Sequence, residues 1–162
     1  MALDTDIRIL AGAPLFSLLD RQPLRLLAFA AETLTGPEGG VLFRKGDPSD
    51  GCYVVTRGAV ALDAEDGTPV FVAEPGAVIG PTALFIATTR RATAMVQAPG
   101  SAVLRIAPPL MSRVLREFPA AAAAIHEVLA AEVLTLRDGL ERLRDHFAEP
   151  GAVEDPSTLR PA

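Results

Sequence analysis

The stretch Phe43-Arg44-Lys45-Gly46-Asp47-Pro48-Ser49-Asp50-Gly51-Cys52-Tyr53-Val54-Val55-Thr56-Arg57-Gly58-Ala59-Val60 decides how this chain is read. A short apolar run ends at Phe43. A turn rich in Gly, Asp and Pro follows, where such residues set the backbone angles that turns need. A second strand is predicted over residues 53–56. Gly58 breaks it, and a third strand begins at Ala59.

Outward from this stretch, the spacing predicts short strands at 41–43, 52–56, 59–63, 69–73, 77–79, 93–97 and 101–106. Glu65-Asp66-Gly67 reads as a hairpin turn, because Asp-Gly tolerates positive φ. Pro75-Gly76 and Pro99-Gly100 mark two more turns. Regular short strands between such turns predict a sandwich or barrel. Residues 3–33 carry apolar positions at helical spacing, Leu24, Leu27, Ala28 and Ala31 among them, with Pro14 and Pro23 at candidate first turns. From Pro109 the pattern is helical again. Leu110, Val114 and Leu115 predict a short helix, and Pro119 opens a long one to about Phe147. On it Leu129, Val133, Leu136, Leu140, Leu143 and Phe147 alternate at four and three residues, a heptad seam. Gly139 weakens that helix by about 1 kcal/mol relative to alanine. The stripe either packs on the roll or pairs with its twin in a second subunit, and both can hold.

The chain has 162 residues, 15 basic and 20 acidic, for a formal charge of −5. One domain is expected at 1–147: helices 3–33, a rolled sheet at 41–106 and C-terminal helices at 109–147. Residues 148–162, with Pro150, Gly151, Pro156 and Pro161, read as a loose tail. The 49% hydrophobic and 22% charged content is that of a globular chain. No arginine cluster marks a nucleic-acid surface. Cys52 is the one cysteine, which excludes an internal disulfide and multi-thiolate metal sites. It reads as a small buried strand residue. The N-terminus does not read as a secretory signal. No uninterrupted apolar run approaches about 20 residues. The expectation is a cytoplasmic protein without a membrane contact.

A second stretch carries the candidate chemistry. A strand ends at Ile79, Gly80 permits a sharp turn, and Pro81 suits the first position of a short helix. Unpaired amides at such a start favour an anion. Arg90 returns to the same place after a loop, and a guanidinium grips two phosphate oxygens at once. The plain alternative for Arg90-Arg91 is a solvated loop.

Together these stretches resemble the cyclic nucleotide-binding domain family, which includes the catabolite activator protein. The resemblance implies a mainly β fold: a double-stranded β-helix or jelly-roll with N-terminal helices and a long C-terminal helix. The family cassette runs Phe-Gly-Glu-Leu-Ala-Leu, a variable loop, then Arg-x-Ala-Thr-Val. Counting from Gly80 places the ligand arginine at Arg90, with Ala92 and Thr93 as its Ala-Thr. Arg91 is a one-residue alternative. The resemblance implies that the amides of Ala83 and Ala92 complete an anion pocket. It places Gly80, Pro81 and Thr82 at the ribose side, and Thr135 and Leu136 of the long helix over the base. The family glutamate that binds the ribose 2′-hydroxyl is Pro81 here, which offers neither carboxylate nor N–H. Losing that hydrogen bond costs about 1.5–3 kcal/mol. The phosphate half of the pocket is retained and the ribose half is altered.

Four functions compete. One is a stand-alone sensor of cyclic AMP or cyclic GMP that shifts its C-terminal helix and changes a protein contact. Another is a roll with no ligand, or a different one, serving as a dimerisation or scaffold module. An enzyme is not expected: His126 and His146 lie far apart on the last helix, and no nucleophile has a histidine partner. No metal site and no cofactor beyond the nucleotide are expected. A DNA-binding regulator would need a reader domain that this length does not hold. The partners expected are thus a small anion, a second copy through the C-terminal helix and an unidentified protein.

Overall fold

The computed structural model describes residues 2–148. The chain divides into two compact units, one ending at Ile125 and one starting at His126. The first unit opens with α1 (Ala2–Gly12), a 3-10 turn (Phe16–Leu18) and α2 (Arg21–Ala30). Eight strands follow: β1 (Glu32–Thr35), β2 (Val41–Phe43), β3 (Cys52–Arg57), β4 (Val60–Asp63), β5 (Phe71–Ala73), β6 (Val78–Ile79), β7 (Thr93–Val96) and β8 (Ala102–Ile106). Then come α3 (Pro108–Glu117) and α4 (Pro119–Ala148), which begins in the first unit and makes up the described part of the second.

The strands form two four-stranded antiparallel sheets, ordered β1-β8-β3-β6 and β2-β7-β4-β5. This is the expected β-roll with flanking helices. The run Cys52-Tyr53-Val54-Val55 is buried at every position, which requires cover on both faces of β3. Tyr53 and Val55 point into the roll with Phe43, Val60, Ala73, Ile79, Ala94 and Val103. Cys52 and Val54 alternate to the other face, in register with Ile106 and Leu104. There α1 approaches β3, and Leu10, Phe16, Leu27, Met111 and Val114 are buried. Cys52 is fully buried, and desolvation pushes its thiol up to about 12, so it is a packing residue.

Two boundaries differ from the sequence reading by two residues or more. The helical spacing through residue 33 ends early: α2 stops at Ala30, and residues 32–35 form β1, paired to β8. Thr33 and Thr35 suit a strand, and Leu34 packs against the roll core, which outweighs the weak helical pattern. β5 begins at Phe71 rather than residue 69, because the hairpin loop is longer than a two-residue turn. Its positive φ values fall on Glu65 and Gly67, while the Asp66 carboxylate accepts from the Thr68 amide and hydroxyl.

In the second unit, Leu136, Leu140 and Leu143 of the seam are exposed and Leu129 is half-buried. The side chains of Val133, His146 and Phe147 lie outside the described residues, as does the expected tail beyond Ala148. His126 is exposed. Over Pro119–Arg144, α4 is long and apolar enough to meet the length-and-composition condition for a membrane span. Glu127 is exposed in its apolar part, and an acidic side chain opposes insertion by about 2.5–3.5 kcal/mol at mid-bilayer.

Gly58, between β3 and β4, has φ +76, and a Cβ there would overlap the Ser101 hydroxyl and come 2.8 Å from Ser101 Cα. Ser101 is itself committed, accepting from the Ala59 amide and donating to Ala98. Gly58→Ala is expected to destabilise the domain by about 2–5 kcal/mol, left-handed strain plus overpacking, as read by chemical denaturation.

Candidate functional site

The turn that decided the fold also positions the candidate site. The Arg90 amide donates to the Asp47 carbonyl and the Gly46 amide to the Arg90 carbonyl, both at 2.8 Å. The Ser49 amide donates to Thr88, and Pro48 bridges Thr89. Residues 46–49 and 88–90 are therefore zipped together. The Asp47 carboxylate caps the turn by accepting from the Arg44 amide. Arg90 is fixed at its backbone before its side chain makes any contact.

The side chain turns inward and is 5% exposed. Its guanidinium carbon lies 4.2 Å from the Phe43 ring centroid and 5.1 Å from that of Tyr53, within cation–π range. Nη2 donates to the Asp50 carboxylate at 2.9 Å and to the Gly51 carbonyl at 2.7 Å. Nε is buried without a hydrogen-bond partner among the described residues. Asp50 is shared. Its other oxygen accepts from Arg105 at 2.7 Å, Tyr53 donates its hydroxyl to the same carboxylate, and Arg105 also pairs with Glu32.

Beside Arg90 lies a cavity of about 350 Å³. Gly80, Thr82, Ala83, Arg90, Arg91 and Ala92, all expected site residues, line it. So do Phe43, Ser49, Leu62, Ile79, Thr88 and Thr89, which sequence reasoning missed. Gly80 adopts the left-handed conformation (φ +66), and a Cβ there would sit 2.6 Å from Arg90 Nη1. The glycine serves the turn and makes room for the guanidinium.

Several expected residues take other places. Pro81 begins a 3-10 turn (Pro81–Leu84), is half-buried and is not among the lining residues. Ala83 lines the cavity, but its amide donates to the Gly80 carbonyl at 3.2 Å, so the free amide expected there is engaged within the turn. The Ala92 amide has no hydrogen-bond partner among the described residues. Thr93 is buried away from the lining. Its hydroxyl donates to Glu65 at 2.6 Å and accepts from the Lys45 amide at 3.0 Å, tying the β4–β5 loop to β7. Thr135 and Leu136 belong to the second unit, where both border a groove on α4 and the Thr135 hydroxyl donates to Ala131. Asp50, Phe43 and Tyr53, the groups that hold Arg90, were quoted in the sequence only as turn and strand residues.

Burial pushes the Asp50 carboxyl up, but hydrogen bonds from Arg105, Arg90, its own loop backbone and Tyr53 outweigh this and hold it below its ordinary value. A carboxyl depressed in the folded state adds stability above its unfolded pKa and loses it as pH falls through the folded value. Asp50→Asn is therefore expected to flatten the loss of Tm below about pH 4 and to leave the slope above about pH 5 unchanged.

The sequence model of the cyclic nucleotide-binding domain family matches residues 35–118, the stretch that holds the cavity. No curated protein matches the chain. Among solved structures, a cyclic nucleotide-binding-like protein from Brucella abortus bv. 1 str. 9-941 is 36% identical over 68% of this chain and 97% of its own, with a TM-score of 0.61. The N-terminal domain of a transcriptional regulator from Streptomyces coelicolor A3(2) is 29% identical over 82% and 94%, with a TM-score of 0.72. The sensor domain of the transcriptional regulator DNR from Pseudomonas aeruginosa, at 22% identity over 94% and 98% and a TM-score of 0.65, shares the fold. With the roll, the cassette turn at Gly80 and the inward arginine described, the chain belongs to the cyclic nucleotide-binding domain family.

Proposed function

We propose that this chain is a signalling module that binds a cyclic nucleotide, cyclic AMP or cyclic GMP, and not an enzyme. One observation carries the reading: the Arg90 guanidinium, with its Nη1 in no hydrogen bond among the described residues, lines a cavity of about 350 Å³. A hydrogen bond from a charged group to a ligand phosphate contributes about 1.5–3 kcal/mol. The cavity volume falls in the range of small-molecule sites. The phosphate meets Arg90, Arg91 and the Ala92 amide, and Thr82 stands at the ribose side. The ligand moves α4 only if it binds two helix positions with different affinity. The exposed leucines of α4 support pairing with a second copy, and the moved helix is read by a further protein in the cytoplasm.

A second reading, a roll that dimerises without a cyclic nucleotide, is favoured by Pro81. Titration calorimetry with cyclic AMP and cyclic GMP separates the two. Under the first reading, Arg90→Lys lowers affinity about tenfold to a hundredfold, because lysine cannot form the bidentate grip. A thermal melt of the variant controls for folding. If neither nucleotide binds at about 1 mM, the scaffold reading stands.

Light scattering tests the pairing. The protein is expected to run as a dimer, and the double change Leu136→Glu with Leu140→Glu to yield monomer with the melt of the β-roll retained. A wild-type monomer at high concentration would remove the paired-helix proposal.

A further inference from the structure

Register places four residues in one file across the second sheet. Phe43 of β2 and Leu62 of β4 both pair with Ala94 of β7, and Leu62 pairs in turn with Phe71 of β5. Residues paired directly across antiparallel strands share a face. That face is the inner one: Val60 and Ala73, paired two residues away on β4 and β5, are fully buried in the roll. Phe43 and Leu62 line the cavity, and the Arg90 guanidinium lies 4.2 Å from the Phe43 ring centroid. At about 4.8 Å per strand the file runs about 14 Å from that shelf to Phe71, the scale of a mononucleotide laid lengthwise. Phe71 ends the file 63% exposed, with no aromatic or cationic partner for its ring among the described residues. The loop that leads to it is clamped: Lys45 Nζ donates to the Ala64 carbonyl and the Thr93 hydroxyl to Glu65, both at 2.6 Å. An unpartnered aromatic ring on a held strand therefore stands on the cavity's own face, beyond its apolar wall.

We propose that Phe71 stacks on the base of the bound nucleotide, so that the roll itself supplies the aromatic contact at the end opposite Arg90. The proposal rests on the cyclic nucleotide reading. With its phosphate at Arg90, the ligand lies along the file, with Leu62 under its middle and the Phe71 ring at its far end. Stacking on an aromatic ring is indifferent to the base, since every base has a π-face. Phe71 thus adds affinity for a nucleotide over inorganic phosphate, and it does not choose between adenine and guanine.

Calorimetry and fluorescence on the full chain test it. Phe71→Ala is expected to weaken cyclic AMP and cyclic GMP by a similar factor, about fivefold to a hundredfold. Val72→Ala, one residue on and on the opposite face, should stay within about twofold of wild type. The chain has no tryptophan, so Phe71→Trp puts a single indole at the stacking position. Its emission should change with either nucleotide at the calorimetric midpoint, and not with inorganic phosphate. Phe71→Ala binding within about twofold of wild type, or an equal loss with Val72→Ala, overturns the proposal. So does an indole signal that ignores bound nucleotide, or one that follows protein concentration instead, which would assign Phe71 to an interface between copies. In each of these cases the cyclic nucleotide reading stands as long as Arg90→Lys still lowers affinity. Absence of binding by both nucleotides to the wild-type chain at about 1 mM overturns both.

Discussion

The structure turns on one buried cation. A guanidinium at 5% exposure is tolerated only if charge, hydrogen bonds and packing are all supplied. Asp50 supplies the charge, the Gly51 carbonyl a hydrogen bond, and the rings of Phe43 and Tyr53 a polarisable shelf. All four come from the single stretch between residues 43 and 53. The same stretch zips its backbone to residues 88–90. Folding the Gly-Asp-Pro turn and burying Arg90 are thus one event. The roll closes around the arginine rather than presenting a finished pocket to it.

That coupling explains what could and could not be read in the sequence. Strand β3 was legible because four consecutive buried residues and a breaking Gly58 are local signals. Arg90 was reached by counting along the resembled cassette from Gly80, with Arg91 as the open alternative, and the structure turns Arg90 inward and leaves Arg91 exposed. The partnership of Asp50 with Arg90 spans forty residues, and nothing local separates Asp50 from Asp47, which merely caps the turn. Thr93 was misplaced for a related reason. Strand alternation sets which face a side chain takes, and the register of β7 against β4 directs Thr93 to the hairpin loop and Glu65. β1 was missed because Glu32–Thr35 is short and follows an alanine-rich helix end, so its identity depends on pairing with β8, seventy residues away.

The conformation of Arg90 bears on how such a module could signal. Its side chain already points at the cavity, with Nε unpaired and Nη2 anchored. A ligand that uses Nη1, which makes no hydrogen bond among the described residues, adds a bond without breaking the Asp50 pair. Binding to a site held ready in this way avoids the ordering cost of a mobile arginine, about 0.5–1.5 kcal/mol per side chain. The same readiness limits the roll as a switch, because a ligand shifts an equilibrium only by its difference in affinity for the two states. In the proposed module that difference must then arise outside the arginine grip. On α4, the exposed Leu136 and Leu140 gain by burying their apolar faces, and a second helix offers them that contact.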